Sequence, residues 1–338
     1  KRVTILRHKV GITPLGARTL FTGLRTLIGL RKFRTKVFQF LLEDPPDIIH
    51  CHDADTISVG IRMKNKKGIK LIFDMHDLSH TWARMDNPNS IMRKIIANLL
   101  EKRIIRNIRK SDLIVVSSSS ISPKSHPGFK EWVKKRVENI DVISIENRPI
   151  SSDTIPSLPE KFTIGYAGTI REDQMFKNLI QTVERWPMEM KPRIMIAGHG
   201  TADSRVDKII KNSELEIIRK YKFKRNEINE IIQHMSVMFA VYPVNRGNIL
   251  DGALPTKMFD AANLGRPSIV NEGCLMADIA KAENLGISIN CSDSDSLLDS
   301  LIKLYEEPMN VKLKHDWTTE VKDLVISYSN LRTILNEE

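Results

Sequence analysis

Met238–Val270 reads MFAVYPVNRGNILDGALPTKMFDAANLGRPSIV. It holds an apolar run, Met238–Val241, then a helix opened by Pro255 and closed by Gly265 and Pro267, then a second apolar run, Ser268–Val270. Proline presets the first turn of a helix, and glycine followed by proline stops one. On this helix Lys257 and Asp260 stand three positions apart, so a cation and a carboxylate share one face. The free N–H groups and positive dipole end of a helix start attract phosphate, so Lys257 beside them suits a diphosphate and Asp260 a ribose diol. A sugar nucleotide carries both groups, although a solvated Lys/Asp surface pair would use the same letters.

Outward from this unit, short apolar runs alternate with helical patterns over both halves of the chain, the pattern of parallel sheets covered by helices. The first half offers strands at Val3–Leu6, Asp47–Cys51, Lys70–Phe73, Leu113–Ser117 and Val142–Ile145. The second offers Thr163–Tyr166, Arg193–Ala197, Glu216–Ile218, Met238–Val241, Ser268–Val270 and Ile287–Ile289. Between them PISSDTIPSLPE, Pro149–Glu160, has three prolines, three serines and no periodicity, as a linker would. The expectation is an α/β protein of two Rossmann-like, doubly wound parallel-sheet domains, 1–152 and 153–338, facing a cleft at the carboxyl ends of their strands. Trp317–Glu338 reads as a terminal helix whose docking place periodicity does not give.

The length of 338 residues and 41% hydrophobic content suit two cores. No apolar run approaches the roughly 18 residues of a membrane span, and no export signal opens the chain. Lys1 in place of methionine reads as a front that was processed, cut or left out. Cys51, Cys274 and Cys291 lack paired spacing, which points away from zinc and disulfide frameworks and toward a reducing, cytoplasmic compartment. Residues 1–150 hold 29 Lys+Arg against 14 Asp+Glu, whereas 151–338 hold 23 against 27. In the cationic half, RKFRTKVFQFLL (Arg31–Leu42) and IMRKIIANLLEKRIIRNIRK (Ile91–Lys110) read as basic amphipathic helices. An anionic membrane surface, plain solvation or nucleic acid would each suit such helices. Aromatics at 6% speak against a base-stacking surface.

In their order these segments resemble the GT-B glycosyltransferases, most closely the retaining family 4 type, from about Asp47 to Leu304. DIIHCHDAD (Asp47–Asp55), LIFDMHDLS (Leu71–Ser79), SDLIVVSSSS (Ser111–Ser120) and IENRPI (Ile145–Ile150) resemble the first domain's strand ends and exit. FTIGYAGTIREDQMFKNLI (Phe162–Ile180) resembles the glycine-rich turn and its helix, and IMIAGHG (Ile194–Gly200) the strand ending in Gly-x-Gly. FKRNEINEIIQHMSVMFAVYP (Phe223–Pro243) resembles the segment near the nucleobase.

The resemblance implies a glycosyltransferase that takes a UDP- or GDP-sugar as substrate, without a metal or other cofactor. It implies His52 near the reacting sugar carbon, and Lys177 and Lys257 on the departing diphosphate, where cations and N–H donors stabilise charge separation. Gly168, Thr169, Arg171, Leu254 and Asp260 complete the donor site; the family's usual arginine is replaced by Thr169, and Arg171 is the substitute. The family's Glu-x7-Glu motif is incomplete: with Asp260 at its second acid, Gly252 falls at the first and Asp251 one position off, so Asn248–Leu254 would hold the donor through backbone N–H groups. The front is short, Gly11–Gly16 being the nearest match to an early glycine-rich loop.

His50, His52, Asp53 and Asp55 crowd together, and Asp53-Ala54-Asp55 imitates a metal-binding DxD, but the order of motifs speaks for the metal-free fold. The acceptor expected is a lipid-linked or membrane-associated glycan, with the cationic half on the cytoplasmic membrane face. Three rivals stand: an epimerase casting His76, Asp77 and Glu272 as acid/base groups, a non-catalytic scaffold, and a phosphate-gripping nucleic-acid binder.

Overall fold

The computed structural model describes residues 5, 7, 20–84, 89–189, 191–243 and 246–337. Val3–Leu6, Ile5 excepted, and Gly11–Gly16 lie outside them. Each of the other expected strands is present within a residue or two of its expected place. β1 (Ile48–His52), β2 (Lys70–Met75), β3 (Leu113–Val116) and β4 (Asp141–Ser144) form one sheet in that order. β5 (Thr163–Ala167), β6 (Arg193–Ala197), β7 (Ile217–Lys220), β8 (Val237–Ala240), β9 (Ser268–Asn271) and β10 (Gly286–Ile289) form the other, ordered β10-β9-β8-β5-β6-β7. All neighbours are parallel. Strand order therefore reverses between β5 and β8, and a crevice opens outside the carboxyl ends of strands at such a switch point.

Burial explains why β3 (LIVV) and β8 (VMFA) are apolar throughout. Val237 and Phe239 of β8, with Val241 after it, enter one core, while Met238 and Ala240, with Tyr242, enter the core on the opposite face. Successive side chains point to opposite faces, so a sheet covered on both sides needs apolar residues at every position. In the first sheet Ile114 and Val116 face one core, and Leu113 and Val115 the other. The cover on that second face is Trp317, Leu324, Tyr328 and Leu331 of the terminal helix, Trp317–Glu337. The helix thus follows the second sheet in the chain but packs on the first.

The linker is fastened at Arg148, whose buried guanidinium pairs with Glu146 at 2.7 Å, reaches both oxygens of Glu283 at 2.6 and 2.8 Å, and lies 4.2 Å over the Phe259 ring. Burial pushes the Glu146 carboxyl up to about 7 against the pull of Arg148. Glu320 of the terminal helix accepts the Glu146 N–H at 3.0 Å, so both sheets and the returning helix meet at this ion cluster. Loss of one member would strand a buried charge.

The Asp53–Ala54–Asp55 string has a local explanation. It is the first turn of helix Asp53–Lys67, which ends in Lys64, Lys66, Lys67 and a left-handed Gly68, so acids meet the positive end of the dipole and bases the negative end. Asp53 Oδ1 accepts the His76 N–H at 3.3 Å, and Asp55 pairs with Arg34.

Candidate functional site

A cleft of about 440 Å³ lies between the two sheets. His76 and Asp77 after β2, Ser117 after β3 and Asn147 after β4 form one wall. The residues after β5 and β8 and the Thr256–Ala262 helix form the other. Its size falls within the usual range for small-molecule sites, about 300–1,000 Å³. Gly198 lets the strand ends meet there: at φ 130° it lies so close to Gly168 that a Cβ would come within 1.8 Å of the Gly168 carbonyl oxygen.

Six of the expected donor-site residues line the cleft: Gly168, Thr169, Arg171, Leu254, Lys257 and Asp260. Lys177 does not; it is exposed on helix Gln174–Glu184, away from the lining. His52 is not in the lining either, but its Nδ1 lies 3.2 Å from Nε2 of His76, which is. Of the acid/base set for an epimerase, His76 and Asp77 reach the cleft, whereas Glu272 is exposed outside its lining.

Lys257 is buried, with its ammonium 3.8 Å from the Tyr166 ring centre and 4.9 Å from that of Tyr242. Among the described residues no carboxylate forms an ion pair with it. Desolvation, followed by the positive charges of Arg246 and Arg171, holds its pKa well below the usual lysine value. Burial also pushes the Tyr166 phenol up to about 12, so it stays neutral, donating to the Thr169 carbonyl at 2.8 Å. Arg171 and Arg246 lie 4.6 and 5.8 Å over Trp82, which comes from the opposite wall. Arg246 Nε and Asn248 Oδ1 are buried without a hydrogen-bond partner. The arrangement is a cluster of cations over aromatic faces, with Lys257 at its buried centre, and an anion would relieve its repulsion.

Asp260 is held by Arg225, whose two terminal nitrogens reach its two oxygens at 2.6 Å each. Arg225 is the exposed partner and Asp260 the buried one. The expectation that backbone N–H groups of Asn248–Leu254 hold the donor needs correction for four of them. Ile249, Asp251, Gly252 and Ala253 donate to the Arg246, Gly247, Ile249 and Asn248 carbonyls of the same loop. The missing first acid also has a steric reason. Gly252 has φ 99°, and a Cβ there would come within 2.5 Å of the Pro127 carbonyl oxygen, so the loop presses on the first domain where only glycine fits.

On the first wall Asp74 gathers the histidines: His50 Nε2 and His52 Nδ1 lie 3.0 Å and His76 Nε2 3.4 Å from its Oδ2. Burial alone would raise the Asp74 pKa, but hydrogen bonds and charge from His50 and His76 prevail and hold it well below the usual carboxylate range. The bond to Asp74 raises His76, while burial lowers His52. Sequence reasoning missed Asp74, Arg246, Arg225, Tyr166, Tyr242 and Trp82 as site residues. Tyr166 and Tyr242 had a legible signal, each closing or following a strand that flanks the switch point; the others become neighbours only in the fold.

The family model described as "Glycosyl transferases group 1" matches residues 148–323, and that described as "Glycosyltransferase Family 4" matches 5–144. No curated protein matches. Among solved structures the chain is similar to a sucrose-phosphate synthase from Thermosynechococcus elongatus, with TM-score 0.71, 11% identity, and 97% of this chain and 86% of that one covered. It is similar to Anabaena HepE in complex with UDP and glucose, with TM-score 0.62, 13% identity and coverage of 88% and 82%. A third likeness is to the apo form of WaaB, a lipopolysaccharide outer core galactosyltransferase, with TM-score 0.56, 16% identity and coverage of 84% and 73%.

Proposed function

The chain belongs to the glycosyl transferases group 1 family and is a glycosyltransferase of the GT-B type, and on that premise we propose that it moves a sugar from a UDP- or GDP-sugar to a lipid-linked or membrane-associated glycan. The observation that carries the donor assignment is the buried, carboxylate-free Lys257 beside Arg171 and Arg246. A diphosphate at this place would match three side-chain cations as the sugar bond breaks, and electrostatic stabilisation of that developing charge is the largest single contribution such a site can make. These cations do the work that a metal does elsewhere, so transfer is metal-independent. The HepE structure with UDP and glucose supports the nucleotide choice. Asp260 receives the ribose diol, with Arg225 as the partner that the hydroxyls displace or join.

Residues 1–152 serve the acceptor and 153–338 the donor, and transfer proceeds with retention. His52 supplies a hydrogen bond to the sugar from the first wall. The membrane assignment is supported by helix Ile91–Ile108, where Ile91, Met92, Ile95, Ile96 and Leu99 are each at least 46% exposed among basic neighbours. No helix of the described residues is long and apolar enough to cross a membrane. A surface-lying helix of this kind binds an anionic leaflet with about 1 kcal/mol for each basic residue near it.

The test is release of nucleoside diphosphate from a panel of nucleotide sugars, with and without membrane lipid extract, in wild type and Lys257→Ala. Lipid-stimulated release that Lys257→Ala abolishes is the expected result and names the donor. No release from any donor by a folded protein would favour the non-catalytic scaffold. Binding to anionic vesicles should fall steeply with salt, and binding unchanged in molar salt would overturn the electrostatic account.

A further inference from the structure

Where β1 and β2 end, the pleat places His50 and His52 on one face of β1, and the parallel register sets Asp74 opposite His52. The backbone thereby aims two imidazole nitrogens at one carboxylate oxygen, each at 3.0 Å. The two rings stack with centres 4.6 Å apart. The ligand atoms of His50, His52 and Asp74 all lie within 4.8 Å of one another. A tetrahedral ion with bonds of about 2.0–2.1 Å sets its ligands about 3.3 Å apart, so small rotations of these side chains would close around one.

A second observation concerns Tyr328 of the terminal helix, whose hydroxyl lies 2.5 Å from His50 Nδ1. A histidine whose Nδ1–H donates to such an oxygen keeps the Nε2 lone pair free, which is how an outer partner fixes the tautomer and orientation of a metal-binding imidazole. The less exposed part of the set, half-buried His50 and buried Asp74, is thus held in place, and the exposed part, His52, stands beside the cleft residue His76.

We infer that His50, His52 and Asp74 form a binding site for a borderline divalent transition metal of the zinc class, with its remaining position open toward His76 and the cleft. Two imidazoles and one carboxylate suit zinc or cobalt, whereas magnesium and calcium take oxygen ligands. Bound metal would occupy His52 Nδ1 and draw that ring away from the donor sugar, so the site acts as a metal-operated brake. The brake rests on the proposed role of His52; the binding does not.

The experiment uses the whole chelator-treated chain, with Zn²⁺ followed by calorimetry and Co²⁺ by its visible absorption. Wild type should take up one equivalent of either ion, and millimolar Mg²⁺ should not displace it. Tyr328→Phe should weaken binding about 10–100-fold, as loss of an outer-shell partner does. His50→Ala and Asp74→Asn should weaken it further. His52→Ala, at a side chain 61% exposed, provides a ligand deletion that spares the core, and circular dichroism checks folding throughout. Wild type without Zn²⁺ heat or Co²⁺ absorption, or binding that survives each of the three ligand substitutions, would overturn the site. Zinc should also lower nucleoside diphosphate release, and chelator should restore it; binding without that loss would overturn the brake alone. Should no donor be turned over, the calorimetric and spectroscopic results still decide the binding.

Discussion

The two walls of the cleft handle charge in opposite ways. On the first, Asp74 sits among three histidines and is itself stabilised by them. On the second, a buried Lys257 is crowded by Arg171 and Arg246, the three lying over tyrosine and tryptophan rings rather than against acids. A charge cluster that already contains its counterion needs no ligand to be at rest, whereas one that lacks it gains when an anion arrives. The second wall therefore suits an anion, whereas the first holds its histidines around a carboxylate and suits a cation.

The largest expected effect is Lys257→Ala, which should lower kcat/KM by roughly 10²–10³-fold, the scale of losing one donor to developing charge. It should weaken nucleoside diphosphate binding in calorimetry as well; equal affinity in the variant would erase the difference between the walls. Asp74→Asn comes next. With the histidines unanchored, kcat should fall about 10-fold, since small misplacements of a positioned group are costly, while nucleoside diphosphate affinity stays within about twofold. An affinity loss as large as the rate loss would show that the first wall also binds.

The pH dependence should be gentler. The Lys257 pKa is lowered by burial and by its arginine neighbours, so the charged form needed for a diphosphate is lost as pH rises through a value below the ordinary lysine range. Affinity should weaken over that rise, and Lys257→Arg, charged throughout, should flatten the profile; a profile that is identical in both would remove Lys257 from the diphosphate contact. Smallest is an effect on stability. Because the Asp74 pKa is depressed on folding, its contribution is complete above its unfolded value near ~3.9 and is lost as pH falls toward the folded one. Urea midpoints of wild type and Asp74→Asn should thus converge in acid and separate above it.

Much of this was readable in one dimension. The ten described strands lay where apolar runs were bounded by turns and helices, because strands buried on both faces, β3 and β8 most clearly, are near-continuously apolar. Lys257 and Asp260 were readable because one helix carries both. Lys177 stands outside the cleft lining, and a helix-start lysine has the same spacing whether its side chain faces the cleft or water. The glycine at 252 read as a gap in an acid motif, and its cause lies in Pro127, far off in the chain.

By itself, then, the sequence determined two parallel α/β sheets, a linker between them and a cationic helix start after β8, since strand burial, helix caps and dipoles are local effects. Tertiary structure decided which cations share the cleft, that Asp74 gathers three histidines, and that the terminal helix returns to set Tyr328 on His50. Those depend on strand order, register and the approach of two domains, all of which join residues that the chain keeps far apart.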